Sequence, residues 1–485
     1  MKALDQLCVL DIDGCELITD RSVVEIAKEM KFMQVFSAPN CPKLSNGTLN
    51  ACAKYWKTTL KKLVLSFSLQ KSFSIQSIDN LAQNCTRLRT LELVHVFGRS
   101  FLPTHEFIAS PSPTQPRSPQ PSVCQSLSKL KGLQRLDVTA STEVSDFQSL
   151  QECQTLTELH AGYCTKLDSR SLSTLSHALV NLHTLCVKYC ALVDGNALIS
   201  VSKHCVGLES LDVSGMKANQ VSGDELQTAL VGFQNLKELV LDSVATLNDG
   251  VIDAFCKHSL SNSTLQRLSY SQIPSNSVTM RSLVSVFHSL VHLKSLDISH
   301  NTNITISSPF PTTDSHKLRA KSLRSLNITG CKDISDRGFR YVMESCDSLS
   351  TLSCSQLELV TDASLHALSE HGKSLRYLSM VGCLRLTDCG VLKMLENVVV
   401  LKSVSIQFSR VVNGVTLGMD SISVNDIECS RVLKYYVETG GDSDSLTREW
   451  YTDCGAQSGG GQQGERSDSR MLAVGLRSGG ENPAV

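Results

Sequence analysis

Cysteines are the residues here whose type most readily suggests chemistry: nineteen occur in 485 residues. A thiolate can ligate zinc, attack as a nucleophile or pair in a disulfide, whereas a neutral thiol fills a core as a small hydrophobe. Cys331 poses the choice, in "LNITGCKDISDRGF" (residues 326–339). No C-x-x-C occurs in the chain and H-E-x-x-H is absent, which removes the commonest zinc signatures. The count is odd and nothing marks the amino terminus for secretion, so disulfide pairing is not forced. His366 and His371 stand five apart on an expected helix, the wrong offset for shared metal ligation, and read as exposed helix residues. Gly459, Gly461 and Gly464 fit G-x-G-x-x-G, but no strand precedes them and no helix follows, so no dinucleotide loop is expected. With no P-loop and no G-x-S-x-G either, the chain reads as non-catalytic, with no cofactor and no metal.

The cysteines have another explanation in the elements that carry them. The pattern L-x-x-L-x-L-x-x-C, then I-[ST]-D-x-x-L, recurs along most of the chain. Its second leucine-type position falls at Leu10, Phe36, Leu63, Leu91, Leu136, Leu159, Leu185 and Leu211, then at Leu239, Leu268, Leu296, Leu326, Leu352, Leu378 and Val404. Six of the fourteen spacings are 26 residues and most others are 27 to 30, while the 45-residue gap after Leu91 is one repeat carrying an insertion. A fixed period of this size means a solenoid, and the L-x-x-L-x-L core is the leucine-rich-repeat signature.

Each repeat reads as one short strand and one helix. Leu326 and Ile328 share one strand face while Ser325, Asn327 and Thr329 point the other way. Thr19-Asp20, Ser335-Asp336, Thr361-Asp362 and Thr387-Asp388 stand where a helix needs an N-cap, with Leu365 and Leu368 following at helical spacing. The expected fold is α/β: a horseshoe of about fifteen repeats, parallel strands on its concave face and helices on its convex face. Cys15, Cys41, Cys164, Cys190, Cys331 and Cys383 all fall five residues after an anchor, a slot that Met216 and Ser68 hold in weaker repeats. Cys85, Cys153, Cys205 and Cys346 form a second ladder at the ends of helices. Interchange with Met and Ser makes Cys331 a packing residue.

"LRSLNITGCKDISDRGFRYVMESCDSL" and "LRYLSMVGCLRLTDCGVL" resemble the cysteine-containing leucine-rich repeats of F-box/LRR proteins, the substrate receptors of SCF-type ubiquitin ligases, and of their relatives lacking an F-box. The resemblance spans roughly residues 4 to 409. It implies a protein-binding module that recognises substrates for ubiquitin-dependent degradation and does no chemistry itself. A stand-alone scaffold or regulatory protein is the alternative. The first repeat starts at Leu7, so a Skp-type adaptor and a cullin are expected as partners only if an F-box lies upstream.

Repeats one to four are expected over residues 4–97 and repeats five to fifteen over 123–409, with a closing cap over 410–437 and a polar, disordered tail over 438–485. Between them, residues 98–122 contain "FIASPSPTQPRSPQPS", too rich in Pro and Ser to pack. There Ser110, Ser112 and Ser118 each precede proline, as proline-directed kinases require. The net charge of −1 creates no global field for nucleic acid or an anionic membrane. The expected compartment is the cytoplasm, with the nucleus open.

Binding would fall to the outward-pointing strand residues of the concave face. These are Arg135, Asp137, Glu158, His160, Lys188, Asp212, Glu238, Asp242, Arg267, Asp297, Asn327, Tyr377 and Gln407, set among many serines such as Ser210, Ser214, Ser271, Ser299 and Ser353. The face is polar, slightly acidic in its middle and poor in arginine. A protein segment suits it better than a phosphorylated or nucleic-acid ligand, with Tyr377 as its aromatic anchor.

Overall fold

The computed structural model describes residues 6–66, 73–95, 122–274, 277–304, 320–398, 400–412 and 415–425. The chain divides into two compact units, Met1–Leu265 and Gln266–Val485. Each is a leucine-rich-repeat array of the solenoid type.

The first unit carries strands β1 (Val9–Asp11), β2 (Val35–Ser37), β3 (Lys62–Ser66), β4 (Thr90–Val94), β5 (Arg135–Asp137), β6 (Glu158–His160), β7 (Thr184–Cys186), β8 (Ser210–Asp212) and β9 (Glu238–Val240). Each pairs in parallel with the next, and the repeat anchors are in register from Leu10 to Leu239. The direct pairing of β4 with β5 places the long insertion inside a single repeat. The helices are α1 (Asp20–Glu29), α2 (Asn46–Tyr55), α3 (Ile75–Asn84), α4 (Val123–Leu127), α5 (Ser169–Ala178), α6 (Gly195–His204), α7 (Gly223–Gly232) and α8 (Asp249–His258). The fifth repeat departs from the expected strand-and-helix unit, because Phe147–Glu152 forms a 3-10 helix. Only 23 residues separate Leu136 from Leu159, and the tighter winding fits the shorter connection.

The second unit carries β10 (Arg267–Ser269), β11 (Ser295–Asp297), β12 (Ser325–Asn327), β13 (Thr351–Ser353), β14 (Tyr377–Met380), β15 (Ser403–Val412) and β16 (Val415–Asn425). Its helices are α9 (Met280–Ser289), α10 (Asp336–Ser345), α11 (Asp362–His371) and α12 (Asp388–Asn397). Strands β10 to β15 are parallel and their anchors from Leu268 to Val404 are in register and buried. Strand β16 then pairs antiparallel with β15, so residues 410–412 and 415–425 of the expected cap lie in a hairpin. Residues 426–485 lie outside the described residues, as do 96–121 with Ser110, Ser112 and Ser118.

One backbone device recurs in both units. The fourth residue after the anchor is left-handed at Asn40, His95, Ala140, Tyr163, Tyr189, Gly215 and Ser243, and again at Gln272, His300, Gly330, Gln356 and Gly382. At most of these positions its N–H still donates to the neighbouring repeat, as Tyr189 does to the Ser214 carbonyl (2.8 Å) and Gly330 to the Ser355 carbonyl (2.9 Å). The chain thereby turns inward without leaving a buried amide unpaired. At Gly330 a Cβ would lie 2.3 Å from His300 Nδ1, so a larger residue would also displace that exposed ring.

The residue after this turn is the cysteine slot. Cys331 is wholly buried, and its thiol donates to the Ile298 carbonyl of the preceding repeat (3.2 Å). Cys41, Cys164, Cys190 and Cys383 donate in the same way to Ile12, Val138, Ala161 and Cys354. Ser141 and Asn301 hold the equivalent slot and donate to Leu93 and Tyr270. Burial pushes the Cys331 thiol up to about 12, far from a reactive thiolate. Cys85, Cys153, Cys205 and Cys346 are the helix C-caps that the second ladder implied.

Thr19, Ser335, Thr361 and Thr387 are the N-caps of α1, α10, α11 and α12. Three of the aspartates that follow them, Asp20, Asp336 and Asp362, reach forward to the next repeat. Asp20 accepts from the Ser45 and Thr48 N–H groups (2.8 and 3.0 Å), and Asp336 accepts from the Thr361 N–H and the Ser364 hydroxyl (2.7 and 2.6 Å). Burial alone would raise these carboxyls. The donors aimed at them outweigh it, and both are held below the usual carboxylate value.

Candidate functional site

A parallel sheet is normally covered on both sides. Here the helices pack in succession on one side, α5 to α8 in the first unit and α10 to α12 in the second. The other side presents the strand residues flanking each anchor, and these form the candidate binding faces.

In the first unit Arg135 joins the strand residues into an ionic group. It pairs with Glu92 (3.2 Å) and with Glu158, while Lys62 reaches Glu92 (3.6 Å). His160 stands beside this group with its Nε2 buried and without a hydrogen-bond partner, and burial lowers its pKa against the pull of Asp137. Lys188 lies 4.0 Å from Asp212, and Ser210 donates to Glu238 (3.0 Å). Asp242 follows β9 on the same alternation and is half-buried.

Several candidates have structural duties as well. Asp137, Asp212, Asp297 and Asn327 each accept the N–H two residues on, from Thr139, Ser214, Ser299 and Thr329. Such Asx turns close the strand ends. They also correct one expectation: Ser214, Ser271 and Ser299 are buried. Alternation alone assigns them to the open face, but they lie past the strands, where the chain is already turning inward.

In the second unit Asn327 donates to Asp297 (2.8 Å), and Arg267 lies in β10, paired with Ser295 of β11. Tyr377 is 48% exposed, as an anchor for a partner requires. Gln407 lies in β15, paired opposite Ser421. Within the first unit Arg135, Glu158 and their neighbours are brought together; within the second, Tyr377 stands among hydroxyl-bearing residues.

Two residues that the face reading of the sequence missed are Tyr163 and Tyr189. Both occupy left-handed slots, 43% and 41% exposed, with stacked rings 4.8 Å apart and 8° from parallel. The Tyr-Cys dipeptide recurring 26 residues apart was the available signal.

On the helix side His366 lies 3.5 Å from Glu370 and is exposed, while the half-buried His371 approaches Glu344 (3.7 Å). Arg340 ties Glu370 down (2.7 Å). Among the described residues no group of three or more His, Cys, Asp or Glu side chains could hold a metal ion, and no helix is long and apolar enough to cross a membrane.

No protein-family model matches the chain. Among solved structures it is similar to the yeast Rad7–Elc1 complex, at 16% identity over 71% of this chain and 85% of that one, with a TM-score of 0.49. It is also similar to an internalin (InlF) of Listeria monocytogenes, at 15% identity over 81% of this chain and 94% of that one, with a TM-score of 0.38.

Proposed function

We propose that the open strand faces hold a protein partner and that the chain is a non-catalytic binding subunit. One observation carries this reading. Helices cover one side of each sheet, and the other is left to polar side chains, such as Arg135, Glu158 and Tyr377, that the apolar core does not use. An extended protein segment can be met there by many side chains at once, as recognition without a deep pocket requires. The fitting biological setting is substrate recognition for an SCF-type ubiquitin ligase. The support for that finer step is the resemblance of the repeats to those of F-box/LRR proteins.

A photo-crosslinking amino acid placed in turn at Asp137 and at Tyr377 tests the docking. Crosslinks to one protein, absent when the label sits on the helix-side residue His366, are the expected result. Crosslinking from His366 alone would overturn it. Co-isolation of a Skp-type adaptor and a cullin with the protein from its own cells tests the ligase setting. Partner capture without either of them would favour a stand-alone scaffold.

A further inference from the structure

The residue two before each anchor shares the anchor's parity, so strand alternation assigns it to the core. The structure does otherwise. Leu323 and Leu375, three before their anchors, are buried, while Arg324 and Arg376 are exposed. These positions form a row along the start of the sheet, because each backbone N–H donates to the carbonyl of the row residue one repeat earlier. In the second unit the row runs Gln266, Lys294, Arg324, Ser350, Arg376 and Lys402, with bonds of 2.7 to 2.8 Å.

Side chains that are neighbours in such a row can reach one another, as Lys237 reaches Glu209 (2.7 Å) in the first unit. In the second unit the row holds no acid. Lys294 is met by the neutral Gln266 (2.9 Å) and Arg324 by the Ser348 carbonyl (3.2 Å), while the Arg376 and Lys402 side chains have no partner among the described residues. Like charges therefore lie side by side at Lys294/Arg324 and at Arg376/Lys402, an arrangement that costs stability. Lys321 and Lys373, three residues before Arg324 and Arg376, are exposed as well. Among the described residues of the loops leading into β11 to β15 stands one acid, Asp347, and it pairs with none of these six bases. Asp297, on the strand face, is engaged by Asn327 and the Ser299 N–H.

We propose that this rim docks an acidic segment of the protein partner, its Asp or Glu carboxylates meeting Lys294, Arg324, Arg376 and Lys402 beside the exposed Tyr377. At a strand spacing of ~4.8 Å the four bases span roughly 19 Å, the length of about six extended residues. A carboxylate there supplies the opposite charge that the row lacks, and charge-assisted bonds to arginine are the strong ones. A nucleic acid fits less well, because single strands are held by several stacking rings and Tyr377 is the one exposed aromatic side chain among the described residues of this unit. This inference rests on the reading of the strand face as the partner-binding side.

The test is fluorescence anisotropy of the full chain with a labelled dodecapeptide of alternating Glu and Gly, beside its Lys-Gly counterpart and a twelve-nucleotide oligodeoxythymidine. Saturable binding of the Glu-Gly peptide is expected, weakened by salt and absent for Lys-Gly. Arg324→Gln with Arg376→Gln should weaken it about tenfold. Lys28→Gln with Lys257→Gln, which removes as much charge from exposed helix lysines, should leave it unchanged. Lys294→Glu sets an acid beside Arg324 as Glu209 stands beside Lys237, and should raise the urea midpoint while weakening the peptide. No saturable binding, full binding by the arginine double variant, an equal loss in the helix-lysine variant, or tighter binding of the oligonucleotide would overturn the proposal. So would a fall in the midpoint of Lys294→Glu, which would make Lys294 a residue of the fold. Should the partner crosslinked from Tyr377 prove basic at its contact segment, this inference fails while the docking reading stands. Peptide binding without any partner crosslink from Asp137 or Tyr377 gives the reverse.

Discussion

The two units share a backbone plan and differ in what they write on it. On the first, Asp11, Asp13, Glu92, Asp137, Glu158, Asp212, Glu238 and Asp242 occupy strand-face positions, against Lys62, Arg135 and Lys188. On the second, one acid, Asp297, and one base, Arg267, stand among Ser269, Ser295, Ser325, Thr351, Ser353, Ser379 and Ser403. The anchors beneath are in both mostly buried leucines, and the same left-handed turn recurs after strands of both. Side chains alternate across a strand, so the residues that build the core leave the facing residues free to vary. Architecture and binding chemistry are thus separable in this protein, which is why a shared fold says little about a shared partner.

The equivalence of the cores is the first thing to break. Leu211→Ala in the first unit and Leu326→Ala in the second are each expected to cost about 3 kcal/mol, read from urea unfolding. A negligible loss in one of them would show that its anchor is not a core residue.

The cysteine slot sharpens the comparison at a smaller scale. Cys190→Ala and Cys331→Ala remove one of two donors to a buried carbonyl, Ala161 keeping the Cys164 N–H and Ile298 the Asn301 amide, and leave a small cavity, at an expected cost of about 2 kcal/mol each. The serine variants should cost about 1 kcal/mol, because Ser141 already makes this contact natively. With both native thiols pushed up to about 12, an aromatic disulfide reagent should modify them only on unfolding. Equal rates in folded and unfolded protein would sink the packing role.

Acid should weaken both units through the same staple. Asp20 and Asp336 titrate below their ordinary value of 3.8 when folded. Their stabilisation is therefore fully present above that value and lost as the pH falls through the depressed folded value. Urea midpoints between pH 5 and pH 2.5 should fall less steeply in Asp20→Asn and Asp336→Asn than in the parent. An unchanged slope would retire the staple. The smallest effect belongs to the open face: Tyr377→Ala should change stability by no more than about 0.5 kcal/mol while weakening partner crosslinking. A larger loss of stability would place Tyr377 in the fold rather than on the face.

The repeat phase was legible because an apolar anchor must recur wherever a strand meets the core, and each of the strands β1 to β15 carries its anchor. The N-caps at Thr19, Ser335, Thr361 and Thr387 were legible because a cap acts on its own first turn. The forward reach of Asp20 and Asp336 was not. Their donors Thr48 and Ser364 lie 28 residues ahead, and nothing local marks the pairing. Strand alternation likewise assigned Ser214, Ser271 and Ser299 to the face, since it cannot say where a strand stops and the chain turns inward. Tyr163 and Tyr189 escaped for a related reason: their direction is set by a left-handed backbone, and tyrosine is not a residue that signals one.

The sequence by itself determined the period, the identity of the anchors, the starts of the helices capped by Thr19, Ser335, Thr361 and Thr387, and the conclusion that Cys331 packs. Each follows from a residue's own type and its distance from similar residues. Only the tertiary structure decided that Cys331 donates to Ile298, that Lys188 crosses Gly162 towards Tyr163, and that two tyrosines lie stacked in the open. These contacts join residues one repeat apart, and stacking in three dimensions, rather than adjacency along the chain, brings them within reach.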